Sequence, residues 1–92
     1  MEVISKSYYL TLTTIEVMNQ MSKDQERSRN NYVKRLIDNA IVGDYIIEPS
    51  EEKEKGRSIT LFMPDYCHEY IEKIAKRYNV KPSKILNKII FK

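Results

Sequence analysis

The sequence predicts an α+β fold, mostly helical, in which two strand–helix–helix units share one two-stranded antiparallel ribbon and contribute four helices. Three observations carry this. One pattern occurs twice: Tyr8-Tyr9-Leu10-Thr11-Leu12-Thr13 opens the first copy and Ser58-Ile59-Thr60-Leu61-Phe62-Met63 the second, each followed by two stretches with helical spacing. Each copy is too small to bury a core alone, so each needs the other as its missing half. A single cysteine, Cys67, excludes an internal disulfide as the staple. The chain therefore reads as one domain, 1–92, with a first repeat at 7–43, a connector at 44–57 and a second repeat at 58–92.

In the first repeat, Tyr8, Leu10 and Leu12 alternate with Tyr9, Thr11 and Thr13, which gives a strand one apolar face. Residues 1–7 form a leader that can extend it. Thr13-Thr14-Ile15-Glu16 reads as a capping box opening a helix whose stripe is Ile15, Met18 and Met21. Ser28 is the next N-cap, before the stripe Tyr32, Val33, Leu36, Ile37 and Ala40. Gly43 is expected to close that helix in the left-handed conformation. In the connector, Glu51-Glu52-Lys53-Glu54-Lys55 is expected to be solvated and flexible, whereas Tyr45, Ile46 and Ile47 are apolar enough to pack on the domain.

The second repeat alternates Ile59, Leu61 and Met63 with Ser58, Thr60 and Phe62. Pro64-Asp65 then starts a helix with Cys67, Tyr70, Ile71, Ile74 and Tyr78 on one face. Asn79 suits a left-handed C-cap. Lys81-Pro82-Ser83 opens the last helix, with the stripe Ile85, Leu86, Ile89 and Ile90.

Net charge is +3, unevenly placed: +1 over residues 1–42, −2 over 43–57 and +4 over 58–92. The excess in the second repeat is a small pointer to a polyanionic partner. The first residues hold no apolar run of signal-peptide or membrane-span length, and one unpaired cysteine fits a reducing, cytoplasmic setting. Cys67 and His68 are neighbours on one helix and cannot face a common site, so no zinc set exists. No serine or cysteine has a base and orienting partner, and two glycines make no phosphate loop. Neither metal, cofactor nor enzymatic activity is expected.

A strand ending in Met63-Pro64-Asp65, a helix of about four turns, then Tyr78-Asn79-Val80-Lys81-Pro82-Ser83-Lys84-Ile85-Leu86 resembles the ribbon-helix-helix fold of the MetJ/Arc superfamily. In the first repeat the resemblance lies in Arg27-Ser28-Arg29-Asn30-Asn31-Tyr32-Val33, with Thr13 where the family has proline. Members normally dimerise, each subunit giving one strand to a ribbon that enters the DNA major groove. With both copies in one chain, the resemblance implies an intramolecular pseudo-dimer, similar to tandem single-chain regulators encoded by archaeal viruses. It implies a sequence-specific double-stranded DNA-binding transcription regulator, more often a repressor, with no membrane partner; self-association on DNA is left open.

The residues support the same site independently. A two-stranded ribbon fits the major groove, and its outward side chains meet successive base edges. Those expected outward are Ser7, Tyr9, Thr11, Ser58, Thr60 and Phe62; the ordinary account is that such residues simply favour strands. Each second helix starts with free amides and a positive dipole end, suited to a phosphate. Ser28, Arg29 and Asn30 serve one start and Lys81, Ser83 and Lys84 the other, where Pro82 removes an amide; the ordinary account is helix capping. The rival function is a protein-interaction or assembly module, antitoxin-like or a virion scaffold.

Overall fold

A computed structural model describes residues 2–51 and 54–91. In chain order the elements are β1 (Val3–Thr11), α1 (Leu12–Asp24), α2 (Arg29–Val42), β2 (Gly56–Pro64), α3 (Asp65–Tyr78) and α4 (Pro82–Ile90). β1 and β2 form a two-stranded antiparallel sheet paired along its whole length, with Ser7 opposite Thr60 at the centre. The two halves are in step. Val3 and Gly56, Leu12 and Asp65, and Arg29 and Pro82 open corresponding elements, each pair 53 positions apart, the separation of Ser7 and Thr60.

One face of the ribbon lies on the helices. Leu10, Leu61 and Met63 point inward and meet Met18, Val33, Ile37, Ile71, Ile85, Leu86 and Ile89, all buried in one cluster. Each such side chain contributes about 1.5–3 kcal/mol on burial. α4 is the most completely embedded helix: Ile85, Leu86, Ile89 and Ile90 are all buried, as its spacing predicts. Cys67 is a buried core residue.

The first strand lies two residues earlier than its alternation implies. It takes in the leader from Val3 and stops at Thr11, which is the N-cap of α1 in place of Thr13. The Thr11 hydroxyl accepts the Thr14 N–H at 3.2 Å and donates to the Thr14 hydroxyl at 2.8 Å. Thr11, Thr13 and Thr14 are all competent caps in isolation, and contacts from distant segments choose between them. The Thr11 N–H donates to Asn87 and the Leu12 N–H to the Lys55 carbonyl, while the Glu54 carboxylate accepts from the Thr13 N–H and hydroxyl. Leu12, expected inward, therefore sits on the first turn of α1, 43% exposed. Thr11, not Thr13, occupies the position that Pro64 holds in the second half.

Three helices close alike. Glu26, Asp44 and Asn79 have φ of 54°, 50° and 55°, and the following amides of Arg27, Tyr45 and Val80 reach back to Ser22, Ala40 and Ala75. That is the Schellman closure. Asn79 performs it as expected; Gly43 does not, since its φ is −80° and Asp44 takes the left-handed position instead. Among the described residues of the connector Ile47 alone is buried; Ile46 beside it is 87% exposed, and Tyr45, 50% exposed, lays its ring on Gly43 instead of on the core. Glu54 is held against α1 rather than freely solvated. Glu52 and Lys53 of the charge run lie outside the described residues.

Candidate nucleic-acid interface

The register of the ribbon decides which side chains point away from the helices. Ser5 pairs with Phe62, Ser7 with Thr60 and Tyr9 with Ser58, and all six are exposed. Five of the expected outward residues are thus gathered on one surface: Ser7, Tyr9, Ser58, Thr60 and Phe62. Thr11 is not among them. It is only 6% exposed and occupied in capping α1, so its hydroxyl cannot reach a partner beyond the ribbon. Ser5 takes its place, the residue that sequence reasoning missed by starting the strand at Tyr8. The signal was available, since laying the second half on the first at an offset of 53 positions matches Ser5 to Ser58, Ser7 to Thr60 and Tyr9 to Phe62 in the sequence.

Hydroxyls dominate this surface. Ser7 and Thr60 are hydrogen-bonded to each other at 2.9 Å across the centre, and each retains spare lone-pair capacity. The Tyr9 hydroxyl accepts the Gly56 N–H at 2.9 Å and keeps its own proton to donate. That contact draws the Tyr9 ring over the end of β2, where Gly56 is required for another reason. A Cβ there would lie 2.0 Å from the Leu10 carbonyl oxygen, a backbone atom that cannot move aside. Tyr9 and Phe62 are 53% and 54% exposed, large apolar area for a monomer to leave in water.

Both outer edges of the ribbon are bound by the first turn of a second helix. The Tyr9 N–H donates to the Ser83 hydroxyl of α4 at 2.8 Å, and the Phe62 N–H to the Asn30 side-chain oxygen of α2 at 3.0 Å. The two bonds are equivalent: Tyr9 and Phe62, like Asn30 and Ser83, are 53 positions apart. They satisfy one amide on each edge of the two-stranded sheet, where such groups are otherwise left bare, and hold each helix start beside the exposed face. Ser28 caps α2 by accepting the Asn31 N–H at 3.1 Å, so the capping account of that residue holds. Lys81 precedes α4 without a side-chain cap bond, and Lys81, Lys84 and Arg29 are exposed. Asn30 and Ser83 are thus positioning residues, with one amide group and one hydroxyl proton left to offer.

Behind the ribbon, two buried polar side chains fix its position on the helices. Asn87 accepts the Thr11 N–H at 3.0 Å and donates to the carbonyls of Tyr9 and Ser83 at 3.1 and 2.8 Å. His68, fully buried, lies between the Tyr8 hydroxyl (2.6 Å from Nδ1) and the Ile4 carbonyl (2.8 Å from Nε2). A carbonyl only accepts, so Nε2 carries a proton and the phenol donates to Nδ1. Burial, with the Glu72 carboxylate and Cys67 nearby, pushes the Tyr8 hydroxyl well above the usual phenol range, which keeps its proton in place. Neither bridge could be read from the sequence, where His68 and Asn87 are single polar letters on apolar stripes.

Lys34, Asp38 and Tyr66 tie α2 to α3. Asp38 accepts from Lys34 at 2.7 Å and from the Tyr66 hydroxyl at 2.5 Å. Burial alone would raise the Asp38 carboxyl, but these two donors outweigh it and hold it below its ordinary value. Lys34 is pushed up to about 12, first by the hydrogen bond to Asp38 and then by that to Tyr66. Among the described residues no group of three His, Cys, Asp or Glu side chains could hold a metal, and no helix is long and apolar enough to cross a membrane.

Compared with family models, with curated proteins and with solved structures, the chain has no match.

Proposed function

We propose that this chain is a sequence-specific double-stranded DNA-binding protein, a transcription regulator working as a repressor, in which two tandem ribbon-helix-helix units act as an intramolecular pseudo-dimer. The observation that carries the reading is the outward face of the ribbon, flanked at both edges by helix starts bonded to it through Asn30 and Ser83. A ribbon of this kind enters a major groove, while helix N-termini with Arg29, Lys81 and Lys84 meet the phosphates on either side. The common spacing of 53 between corresponding elements supports the pseudo-dimer. Catalysis and cofactors have no part in this reading.

The halves start their elements in the same order and spacing but differ in chemistry: Tyr9 answers Phe62, Ser7 answers Thr60 and Asn30 answers Ser83. The preferred site is accordingly an imperfect palindrome. Selection from a random duplex pool, read by gel shift, tests both statements. The expected result is a discrete shifted band and an asymmetric consensus. Perfect palindromes alone would remove the asymmetry, and no shift at any salt concentration would remove the function.

A second reading, an assembly or partner-binding module, draws on Val42 and Ile46, each 87% exposed at the end of α2 and in the connector. Light scattering together with absence of a DNA shift would favour it.

A further inference from the structure

Base selection in a major groove has a known chemistry. Arginine or lysine takes guanine, asparagine or glutamine takes adenine by a bidentate pair, and apolar groups take the 5-methyl of thymine. The outward surface of this ribbon carries Ser5, Ser7, Tyr9, Ser58, Thr60 and Phe62. None of these has a guanidinium, an ammonium or a carboxamide. The hydroxyls can bond to any base edge, and the central pair is already bonded to itself. On the ribbon itself, what remains with discriminating power is the two exposed rings.

We propose that the protein recognises thymine-containing duplex DNA through the thymine 5-methyl groups, packed against the rings of Phe62 and Tyr9. This rests on the DNA-binding reading and deepens it. The rings stand on different strands at opposite ends of the ribbon, since Tyr9 is opposite Ser58 and Phe62 opposite Ser5, four positions along. At about 3.4 Å per residue that separates them by roughly 14 Å. B-DNA rises about 3.4 Å per base pair on each strand, so the two methyl-bearing steps lie about four base pairs apart, with the Ser7–Thr60 pair between them. Tyr9 differs from Phe62 in that its hydroxyl is held by Gly56, which fixes its ring; Phe62 is the freer of the two.

The test exchanges only the methyl group. Random duplex pools are prepared with thymidine or with deoxyuridine, which keeps the pairing and the O4 acceptor, and both are offered to the full chain. The expected result is enrichment of T-containing sites from the first pool, with uridine substitution at the two read steps weakening binding about four-fold for each methyl lost. In Phe62→Ala, folded by circular dichroism, the thymine–uridine difference at one step disappears while the other persists. Equal affinity for thymine and uridine sites, or a consensus set by G·C pairs, overturns the methyl inference and leaves DNA binding intact. Failure to bind either pool overturns the DNA reading itself. Self-association abolished by Phe62→Ala, without any thymine effect, assigns the rings to a second copy and overturns the proposal.

Discussion

Three of the described residues hold a backbone conformation that their side chains disfavour. Glu26, Asp44 and Asn79 close helices at φ of 54°, 50° and 55°, a region that costs L-residues other than glycine about 1–2 kcal/mol, with asparagine and aspartate suffering least. Both glycines lie elsewhere. Glu26→Gly should therefore raise stability by about 0.5–1 kcal/mol, Asp44→Gly by less and Asn79→Gly by least, measured as urea midpoints at constant slope. Gly56→Ala should run the other way, costing about 1–3 kcal/mol, since its Cβ would meet the Leu10 carbonyl at 2.0 Å. A stability order in which Gly43→Ala is the worst of the set would mean that the left-handed position had been misassigned, because Gly43 has an ordinary φ and faces only the exposed Tyr45 ring.

Between elements, the most informative contact is the one that joins α2 to α3 through Lys34, Asp38 and Tyr66. Asp38 is ionised in the fold at lower pH than in the unfolded chain, so it contributes stability above the ordinary carboxylate range, and that contribution is lost as pH falls through its lowered value. Lys34 behaves oppositely: its contribution is complete below the ordinary lysine value and fades as pH rises through about 12. Both side chains are more than a third open to solvent or close to it, so the effect is small and screened. Asp38→Asn should leave the fold intact and flatten the loss of stability between pH 5 and 3 relative to the parent, as followed by chemical denaturation (the pH limits are about one unit either side of a free carboxylate). An unchanged acid limb would assign the loss to other carboxylates. The helices themselves were legible in the sequence, because apolar stripes such as Ile85, Leu86, Ile89 and Ile90 leave one solution. The strand-to-helix junction at Thr11 was not. Three threonines offered the same local chemistry, and Asn87, Lys55 and Glu54, all remote in sequence, selected one of them.

For the molecule as a whole, the order of two strands and four helices was legible and the phase of the first strand was not. Alternation gives the faces of a strand without giving its ends, and a two-residue slip preserves every face while exchanging Thr11 for Ser5 on the outer surface. The starts of α2 and α4 were legible, since Ser28 and Pro82 mark them locally, yet the roles of Asn30 and Ser83 as edge partners of the ribbon arise only from tertiary contact. This division bears on how the charge is used. The start of α4 carries Lys81 and Lys84 beside Ser83, the start of α2 carries Arg29 beside Asn30, and the second half holds most of the positive excess. If those side chains meet phosphates, affinity should fall with salt at a log–log slope of about −0.9 per phosphate neutralised. Removing Lys81 and Lys84 together should then lower the magnitude of the slope by about 1.8, and Arg29→Ala by about 0.9, each weakening binding to all sequences alike. Titrations at several salt concentrations with one specific and one scrambled duplex decide it. A double lysine variant that keeps the parental slope but loses discrimination would move these lysines from the phosphates to the bases, and with them the reading centre from the ribbon to the helix.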